Sequence, residues 1–404
     1  MKETLIIKNF GPIKSVELEL GRFNVFIGEQ GTGKSTVAKL LAVCRYFSYI
    51  TIDSPFNQGE AKFREGLSAW GLNDSIKKDS YIYYKCKHYS VVIEQKPIKI
   101  TENIPGKGIS NIDTIYSFMP KLKAISNEFT NLLSELERIT KPKESSDYPQ
   151  MKRAIPTSFF LNDVASVMDN PFYLPTERGL QSIFSLGKDS IPNISNFLYN
   201  YFDKTANIFF DFFSSETVIE PLEITYKNVY GKSLIKNKDH DFINLSNGAS
   251  GYQSTIPVVL LIKYYTEIRK KAKTFIIEEP ELNLFPSAQN KLMKFLVDKT
   301  MNYGNSILLT THSPYILISL NNLMYAYQVG QEHKEEVSKI IEEKYWINPE
   351  DVSAYRLLSD GTARNIIDEE LKEIRVEEMD EVSKALNADY DRILDIKFAV
   401  HETA

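Results

Sequence analysis

The first fifty residues alternate between short apolar stretches and tight turns. Apolar residues dominate Thr4–Lys8 and Phe23–Ile27, and apolar and charged residues alternate along Ser15–Leu20, so the pattern predicts three strands. The sequence Asn9–Pro12 (NFGP) contains turn-forming residues and separates the first two strands. Helical spacing of apolar residues over Ser35–Ile50 then predicts a helix after a glycine-rich loop.

The middle of the chain is less regular. Alternation over Tyr81–Ile93 predicts an antiparallel hairpin, and helical spacing over Thr114–Thr140 predicts a helix that leads into an exposed connection at Lys141–Gln150. Aromatic residues are concentrated in Asn207–Phe213, which we expect in the core, and Glu220–Lys227 is typical of a further strand.

Dense patterning returns in the second half. A Ser- and Gly-rich cluster precedes a helix predicted at Thr255–Ile268, followed by a strand at Thr274–Ile277, a helix at Ser287–Lys299 and a strand at Ser306–Thr310. This alternation indicates a parallel α/β sheet. The acid-rich stretch 368–381 has helix-like spacing, and we interpret it as a solvated helix face.

Composition limits the classes of protein. The chain has 404 residues and a formal net charge of -5, so it cannot coat nucleic acid by bulk electrostatics and would need a local basic patch. Its two cysteines, Cys44 and Cys86, cannot build a disulfide scaffold. The first residues lack a signal-peptide pattern, and no apolar run approaches the ~18 residues of a membrane span. We therefore expect a cytoplasmic protein without membrane contact.

The segment Gly28–Ser35 (GEQGTGKS) fits the phosphate-loop pattern G-x-x-x-x-G-K-[ST] in full. Glycines at 28, 31 and 33 let backbone N–H groups point at phosphate oxygens, and the following helix adds its partial positive charge. Lys34 would reach the β- and γ-phosphates, and the Ser35 hydroxyl would bind Mg²⁺. The sequence therefore predicts a nucleotide triphosphate site.

Two further segments place polar groups after predicted strands. Glu278 and Glu279 end the apolar strand TFIIEE, and His312 follows the strand SILLTT. Ligands of doubly wound sheets bind at the carboxyl ends of strands, so one carboxylate can hold Mg²⁺ while its neighbour activates water. His312 could contact the γ-phosphate or the attacking water, although a lone histidine is equally often structural.

The cluster Leu245–Ser254 (LSNGASGYQS) precedes a helix and offers a second anion site at its N-terminus. Because one nucleotide needs only one phosphate cradle, this second one could receive the γ-phosphate of a nucleotide bound by another subunit. An ordinary capped helix is the alternative.

Together these motifs resemble the ATP-binding-cassette ATPases of the SMC and RecF type. More narrowly, the chain is similar to bacterial ATPases related to the OLD proteins and to the ATPase subunits of the Septu, PARIS and retron-associated antiphage defence systems. The motifs that carry the resemblance are GEQGTGKST, LSNGASGYQS, FIIEEPELNLFP and TTHSP, with the opening IKNFGPIKSVELEL. They cover about a third of the chain.

The resemblance implies a role for each motif. Gly28, Gly31, Gly33, Lys34, Ser35 and Thr36 would bind ATP and Mg²⁺, with Glu278 as the second metal ligand. Glu279 would be the catalytic glutamate and His312 the switch histidine. Ser250, Gly251 and Gln253 match the signature motif that contacts the partner's γ-phosphate, with Ser246 as an alternative register, and Asn283 would lie at the dimer seam. Arg178 or Gln181, in the segment YLPTERG, could sense the nucleotide or be structural.

The implied fold class is α/β, an ATP-binding-cassette type P-loop NTPase head with a mostly parallel sheet, an antiparallel β subdomain and a short helical insertion. The predicted segments are 1–110 (phosphate loop and β subdomain), 111–240 (helical insertion and connection), 241–330 (signature, acidic strand and switch histidine) and 331–404 (α/β tail). No heptad repeat supports long coiled-coil arms. Asp389 and Asp391 have a helical context and are interpreted as surface acids, not nuclease ligands.

The resemblance implies two subunits that sandwich ATP head to tail, as a dimer or a higher even oligomer. The leading hypothesis is the ATPase and sensor subunit of an antiphage defence system that controls a separate effector of nuclease type. A RecF-like repair ATPase, a transporter ATPase subunit and a regulatory module with little turnover are alternatives. DNA contact stays open: basic residues cluster at Arg269–Lys273 and Lys85–His88, and the tyrosines around the latter also suit sheet packing.

Overall fold

The computed structural model describes residues 3–52, 59–86, 90–94, 99–100, 171–180, 196–238, 240–375 and 392. Several sequence predictions lie outside these residues: the helix at 114–140, the connection at 141–150, the residues Lys87–Tyr89 and Gln181, and the pair Asp389 and Asp391.

A six-stranded sheet forms the centre of the molecule, in the order β15-β14-β3-β13-β12-β7. All neighbours pair in parallel except β14 and β15, which confirms the mostly parallel sheet. Its strands are β3 (Phe23–Ile27), β7 (Phe172–Leu174), β12 (Thr274–Glu278), β13 (Ser306–Thr311), β14 (Val352–Leu357) and β15 (Ala363–Asn365).

Both faces of the central sheet are buried, as expected for parallel strands covered on two sides. Along β3, the side chain of Val25 packs into one core cluster and that of Phe26 into the other. The same alternation separates Ile276 from Ile277 on β12. The strands therefore read mostly as apolar runs, with a few buried polar residues such as Asn24 and Ser353 inside them.

A five-stranded antiparallel sheet, ordered β2-β1-β4-β5-β6, covers one side of the centre. The predicted hairpin is present, with Tyr81 opposite Glu94. Tyr84 is buried and donates its hydroxyl hydrogen bond to Glu3, whereas Tyr81 and Tyr83 are half-buried, which fits sheet packing. The strands are β1 (Glu3–Phe10), β2 (Ile13–Leu20), β4 (Ile76–Lys85), β5 (Ser90–Glu94) and β6 (Lys99–Ile100).

A second antiparallel sheet, ordered β11-β10-β9-β8, was not anticipated from the sequence. The strand predicted at Glu220–Lys227 is wrong in its first half, because Pro221 lacks the N–H that a ladder needs and Glu220–Leu222 forms a 3₁₀ turn. The strands are β8 (Thr217–Ile219), β9 (Ile224–Val229), β10 (Lys232–Lys236) and β11 (Ile243–Asn244).

Seven α-helices surround these sheets within the described part of the chain. They are α1 (Lys34–Ile52), α2 (Gly59–Ala69), α3 (Asn196–Phe212), α4 (Ser250–Lys263), α5 (Pro286–Met301), α6 (Pro314–Gly330) and α7 (Lys334–Ile340). No helix in the described ranges combines the length and apolar character that a membrane span requires.

Helix α4 differs from its prediction at both ends. It begins at Ser250 and not at Thr255, since the Tyr252 and Gln253 N–H groups already bond to the Ala249 carbonyl. Its last predicted turn, Tyr264–Ile268, is a π-helix. The Ser- and Gly-rich cluster is therefore partly the first turn of the helix.

The helix predicted over 368–381 is wrong for the residues that the structure describes. Strands β16 (Ile367–Asp368) and β17 (Glu373–Ile374) form an antiparallel hairpin instead. Ile367 and Ile374 are buried, and the Asp368 carboxylate accepts the N–H groups of Glu370 and Leu371, which stabilises the turn between them.

The predicted chain segments do not coincide with separate layers of the fold. Strand β7 comes from segment 111–240 and β14 from segment 331–404, and both lie in the central sheet. The supposed insertion and tail therefore each supply a strand to the sheet that carries the phosphate loop.

Candidate functional site

The phosphate loop connects β3 to α1, as predicted. Two of its glycines have no room for a side chain: a Cβ on Gly28 would lie 2.4 Å from the Leu357 carbonyl oxygen, and one on Gly33 2.6 Å from Ile13 Cδ1. Gly33 also has φ of +92°, a conformation that favours glycine. Ser35 and Thr36 follow Lys34 in the first turn of α1, where backbone N–H groups are free for an anion.

The Lys34 ammonium lies over this loop. Its Nζ donates to the Gly28 and Glu29 carbonyl oxygens at 2.9 and 2.8 Å, and lies 3.4 Å from His312 Nδ1. Burial lowers the pKa of Lys34, while the nearby carboxylates of Glu279, Glu281 and Glu278 oppose that shift. A buried lysine that bonds only neutral acceptors is poised to exchange them for phosphate oxygens.

Strand pairing brings the remaining predicted residues to the same edge. Glu278 pairs with Thr310 in the parallel ladder of β12 and β13, and Thr311 pairs with Ile27 at the end of β3. The carboxyl ends of three adjacent strands therefore meet beside the phosphate loop, as expected for a ligand site in an open α/β sheet.

Glu279 and His312 are in direct contact. Glu279 Oε1 lies 3.1 Å from His312 Nε2. Because the ammonium of Lys34 can only donate, Nδ1 of His312 accepts and the ring proton is on Nε2, facing the Glu279 carboxylate. The structure thus links the three predicted side chains Lys34, His312 and Glu279 in one row.

Glu278 fits a cation site. Its side chain is 4% exposed, and its Oε1 is buried without a hydrogen-bond partner among the described residues. Burial and the adjacent Glu278 raise the pKa of the Tyr173 hydroxyl well above its usual value, so this neighbour stays neutral. An uncompensated carboxylate oxygen is costly in the protein interior, and a divalent cation would compensate it.

Glu281 connects the loop after β12, which carries the acidic residues, to the loop after β13, which carries His312. Its Oε1 accepts the Thr311 hydroxyl at 2.6 Å and the His312 N–H at 3.0 Å. Burial raises the pKa of Glu281, and these two hydrogen bonds partly oppose that shift. No role for Glu281 follows from the sequence pattern, although its position three residues after Glu278 is visible there.

The signature cluster packs on the loop after β12. A Cβ on Gly251 would lie 2.6 Å from the Asn283 carbonyl oxygen, and Ser254 Oγ donates to the Leu282 carbonyl at 2.7 Å. Asn283 is exposed and has φ of +61°. The structure therefore brings the predicted residues Gly251 and Asn283 together.

The other signature residues differ in availability. Ser250 is exposed at the first position of α4, whereas the Ser246 hydroxyl bonds to Asn244 within a local turn. The Gln253 amide donates to the Gly248 carbonyl at 2.9 Å. This arrangement favours the register that uses Ser250.

Arg178 is fully buried, with 0% exposure. Its guanidinium donates to four carbonyl oxygens, those of Ser254 at 2.8 Å, Pro175 at 2.9 Å, Glu278 at 2.6 Å and Glu279 at 2.6 Å. Each of its three nitrogens is thus engaged. These contacts favour the structural alternative for Arg178 over direct sensing of the nucleotide.

Comparison with known protein families supports an ATPase domain. A family model described as an AAA ATPase domain matches residues 1–215 and 181–317. No curated protein matches the chain.

Solved structures similar to the chain include heads of SMC proteins. An SMC head bound to the C-terminal winged-helix domain of ScpA is 11% identical, with coverage of 90% of this chain and 96% of that one and a TM-score of 0.44. The SMC head of Thermotoga maritima is 11% identical over 79% of this chain and 91% of its own, with a TM-score of 0.35. A Pyrococcus furiosus SMC head with an extended coiled coil, bound to the C-terminal domain of ScpA, is 9% identical over 96% and 99%, with a TM-score of 0.40.

The family match includes the phosphate loop, the signature cluster, the acidic strand end and His312. The central sheet brings the phosphate loop, the acidic strand end and His312 to one edge. Over most of its length, this chain belongs to the AAA ATPase domain family.

Proposed function

We propose that the protein hydrolyses ATP to ADP and phosphate at the edge formed by β3, β12 and β13. The observation that carries this proposal is the row of Lys34, His312 and Glu279, joined by contacts of 3.4 and 3.1 Å. A carboxylate in contact with a histidine, beside a lysine that serves phosphate oxygens, is suited to orient and deprotonate the attacking water.

Each side chain has a distinct proposed task. Lys34 binds the β- and γ-phosphates, helped by the backbone N–H groups of the loop and of Ser35 and Thr36. Ser35 and Glu278 hold Mg²⁺, and the metal neutralises charge on the phosphate oxygens. Glu279 takes the proton of the water, and His312 fixes the orientation of the Glu279 carboxylate.

A second copy of the chain completes the site in this proposal. Ser250 is exposed at the N-terminus of α4, where free N–H groups and the helix dipole favour an anion. Asn283 is exposed beside it. These groups would bind the γ-phosphate held by the partner, so that ATP joins two heads as a dimer or a higher even oligomer.

We further propose that nucleotide-dependent assembly controls a separate effector protein, of nuclease type, in antiphage defence. The support is the resemblance of the four motifs to the ATPases of such systems. The RecF-like alternative, in which DNA is the direct ligand, is distinguished below. Basic residues at Arg269–Lys273 precede β12 and thus lie at the amino end of the sheet, opposite the nucleotide edge.

The test is Mg²⁺-dependent ATP hydrolysis by the full chain and by three variants. Glu279→Gln is expected to bind ATP but to lose at least about 100-fold in kcat, because the water is no longer deprotonated. Lys34→Ala should lose nucleotide binding. Glu332→Gln, a change of an exposed acid in the turn before α7, is the matched control and should match the wild type.

The solution mass of the Glu279→Gln protein distinguishes control of a protein effector from a RecF-like repair function. Growth in mass with ATP and Mg²⁺ alone supports a nucleotide-gated scaffold for a protein effector. Growth only with duplex DNA supports the repair-type function. Normal turnover by Glu279→Gln, or unchanged ATP binding by Lys34→Ala, would contradict the proposed chemistry.

A further inference from the structure

Arg178 occupies a place that packing alone does not explain. Among the described residues with less than 2% exposure, Arg178 has the largest side chain. All its described hydrogen-bond partners are main-chain carbonyl oxygens. Burial lowers the pKa of Arg178, and the carboxylates of Glu281, Glu278 and Glu279 oppose that shift without a described hydrogen bond to the guanidinium. Burying a guanidinium without a hydrogen-bonded carboxylate is costly. Such a group is retained where several carbonyls need one donor with a fixed fork geometry.

The carbonyls that Arg178 collects belong to the catalytic edge. Nη1 holds the Glu278 carbonyl and Nη2 the Glu279 carbonyl, both at 2.6 Å. These are consecutive residues at the end of β12, on which both proposed carboxylate functions depend.

Glu279 has an unusual backbone conformation. Its φ is +43°, a left-handed value that is strained for a residue with a side chain. Three main-chain contacts fix the residue: its N–H donates to the Thr310 carbonyl at 2.8 Å, and its own carbonyl accepts from the Leu282 N–H at 3.0 Å and from Arg178 at 2.6 Å. The Glu279 carboxylate contacts His312 in this conformation, and loss of the Arg178 contact would leave the carbonyl with only the local Leu282 donor, so that the peptide could relax and the carboxylate move.

The same guanidinium also reaches the signature helix. Its Nε donates to the Ser254 carbonyl on α4, whose first residue is Ser250. The Ser254 hydroxyl bonds in turn to the Leu282 carbonyl, in the loop after Glu279. Arg178 thus ties the helix that would contact the partner's nucleotide to the peptide that carries the proposed base.

We propose that Arg178 is a positioning residue that holds Glu279 in its left-handed conformation against α4 and so sets the hydrolysis step without touching the nucleotide. This inference rests on the proposed ATPase function. Nucleotide binding, which depends on the phosphate loop, is independent of Arg178. The chemical step depends on it, because a carboxylate displaced by about 1 Å can cost on the order of 100-fold in rate.

The test compares Arg178→Lys with Arg45→Lys. Arg45 is also a buried arginine, 4% exposed, but its guanidinium pairs with Glu3 in the other core cluster. Both changes remove a buried guanidinium and are expected to lower the melting temperature. Lysine keeps the charge but cannot offer the fork to four carbonyls. Only Arg178→Lys is expected to lower kcat about 100-fold, with KM and the ATP dissociation constant within about threefold of the wild type.

A double variant shows whether the effect acts through Glu279. In a Glu279→Gln background, Arg178→Lys should cause almost no further loss in kcat, because residues that act as one unit are not additive. Should Arg178→Lys fail to fold, Arg178→Gln removes the buried charge, retains two N–H donors, and is expected to show the same split between kcat and KM.

Three outcomes would overturn the inference: wild-type kcat in Arg178→Lys, equal loss of kcat in Arg45→Lys, or loss of the fold in both Arg178 variants. The last would assign Arg178 to folding alone. Absence of Mg²⁺-dependent hydrolysis in the wild-type chain would instead defeat the proposed function, so the two failures are distinguishable.

Discussion

The Glu281 carboxylate uses its two oxygens differently. Oε1 accepts from the Thr311 hydroxyl and the His312 N–H, which holds the histidine loop in place. Oε2 is buried and has no hydrogen-bond partner among the described residues. At the residue scale, the carboxylate that organises the loop therefore has one oxygen whose desolvation is not compensated by any described hydrogen bond.

Glu281→Gln is expected to stabilise the nucleotide-free protein at pH 8 by about 1 kcal/mol, because the amide oxygen can keep both hydrogen bonds while the buried charge is removed. Burial raises the pKa of Glu281 in the folded state. A raised carboxyl pKa lowers stability as pH rises from its usual value through the folded value. The difference in melting temperature between variant and wild type should thus grow from pH 4.5 towards pH 8, as thermal unfolding would measure.

Glu332→Gln serves as the control for this experiment, since Glu332 is exposed and should show no such trend. A gain that is constant across the pH range would show that ionisation of Glu281 is not its cause.

At the scale of elements, α4 and the loop between β12 and α5 pack without room for one methyl group. A Cβ on Gly251 would approach the Asn283 carbonyl oxygen to 2.6 Å and Leu284 Cδ2 to 3.2 Å. The Ser254 hydroxyl and the Arg178 guanidinium hold the same two elements together. The close approach explains why a glycine stands in the first turn of a helix, where alanine would have better helix propensity.

Gly251→Ala should therefore destabilise the fold by about 1–3 kcal/mol by separating α4 from the loop, a typical cost of overpacking. Denaturant unfolding measures this change. Gly66→Ala is the contrasting variant: Gly66 lies inside α2, and an added Cβ would meet only Val43 Cγ1, at 3.2 Å. In Gly66→Ala, the gain in helix propensity should offset the cost of the close contact with Val43. A loss of stability as large as that of Gly251→Ala would refute the steric explanation.

At the scale of the whole molecule, the central sheet collects strands from across the described chain. Strand β14, residues Val352–Leu357, pairs with β3 beside the phosphate loop, and the Leu357 carbonyl closes in on Gly28. Between α6 and this strand, Trp346 packs against Gly330, where a Cβ would lie 2.3 Å from the indole. The residues after 330 are thus part of the scaffold of the nucleotide edge.

A chain ending at residue 330 is expected not to fold, because β3 would lose β14, one of its two neighbouring strands, and expose an apolar strand edge. A chain ending at residue 375 keeps β14 to β17 and should melt cooperatively. Circular dichroism with thermal melting measures both. Cooperative folding of the shorter chain would show that the predicted boundary at 330/331 separates independent units.

Much of the nucleotide edge could be predicted from sequence. Strands β3, β12 and β13 were identified within one residue at each end, because each is a short apolar run bounded by turn or polar residues. Strand β7 was missed, since three residues carry too little pattern to be distinguished from a loop. The hairpin of β16 and β17 differs from the predicted helix because its many charged residues favour a solvated helix, whereas two isolated buried residues, Ile367 and Ile374, fix the hairpin in the structure.

The sequence by itself determined the chemistry of the site: a glycine loop with Lys34, carboxylates after one strand and a histidine after another. Each of these features is a short motif that is local in sequence. Because parallel strands place their carboxyl ends at one edge of the sheet, the sequence also predicts that the motifs meet. Only the tertiary structure decided that Arg178 bonds four carbonyls, that Glu279 adopts a left-handed conformation, and which carboxylate oxygens lack partners. Those facts depend on contacts between residues far apart in the chain, and hydrogen-bond partners of that kind leave no periodic signal in a single sequence.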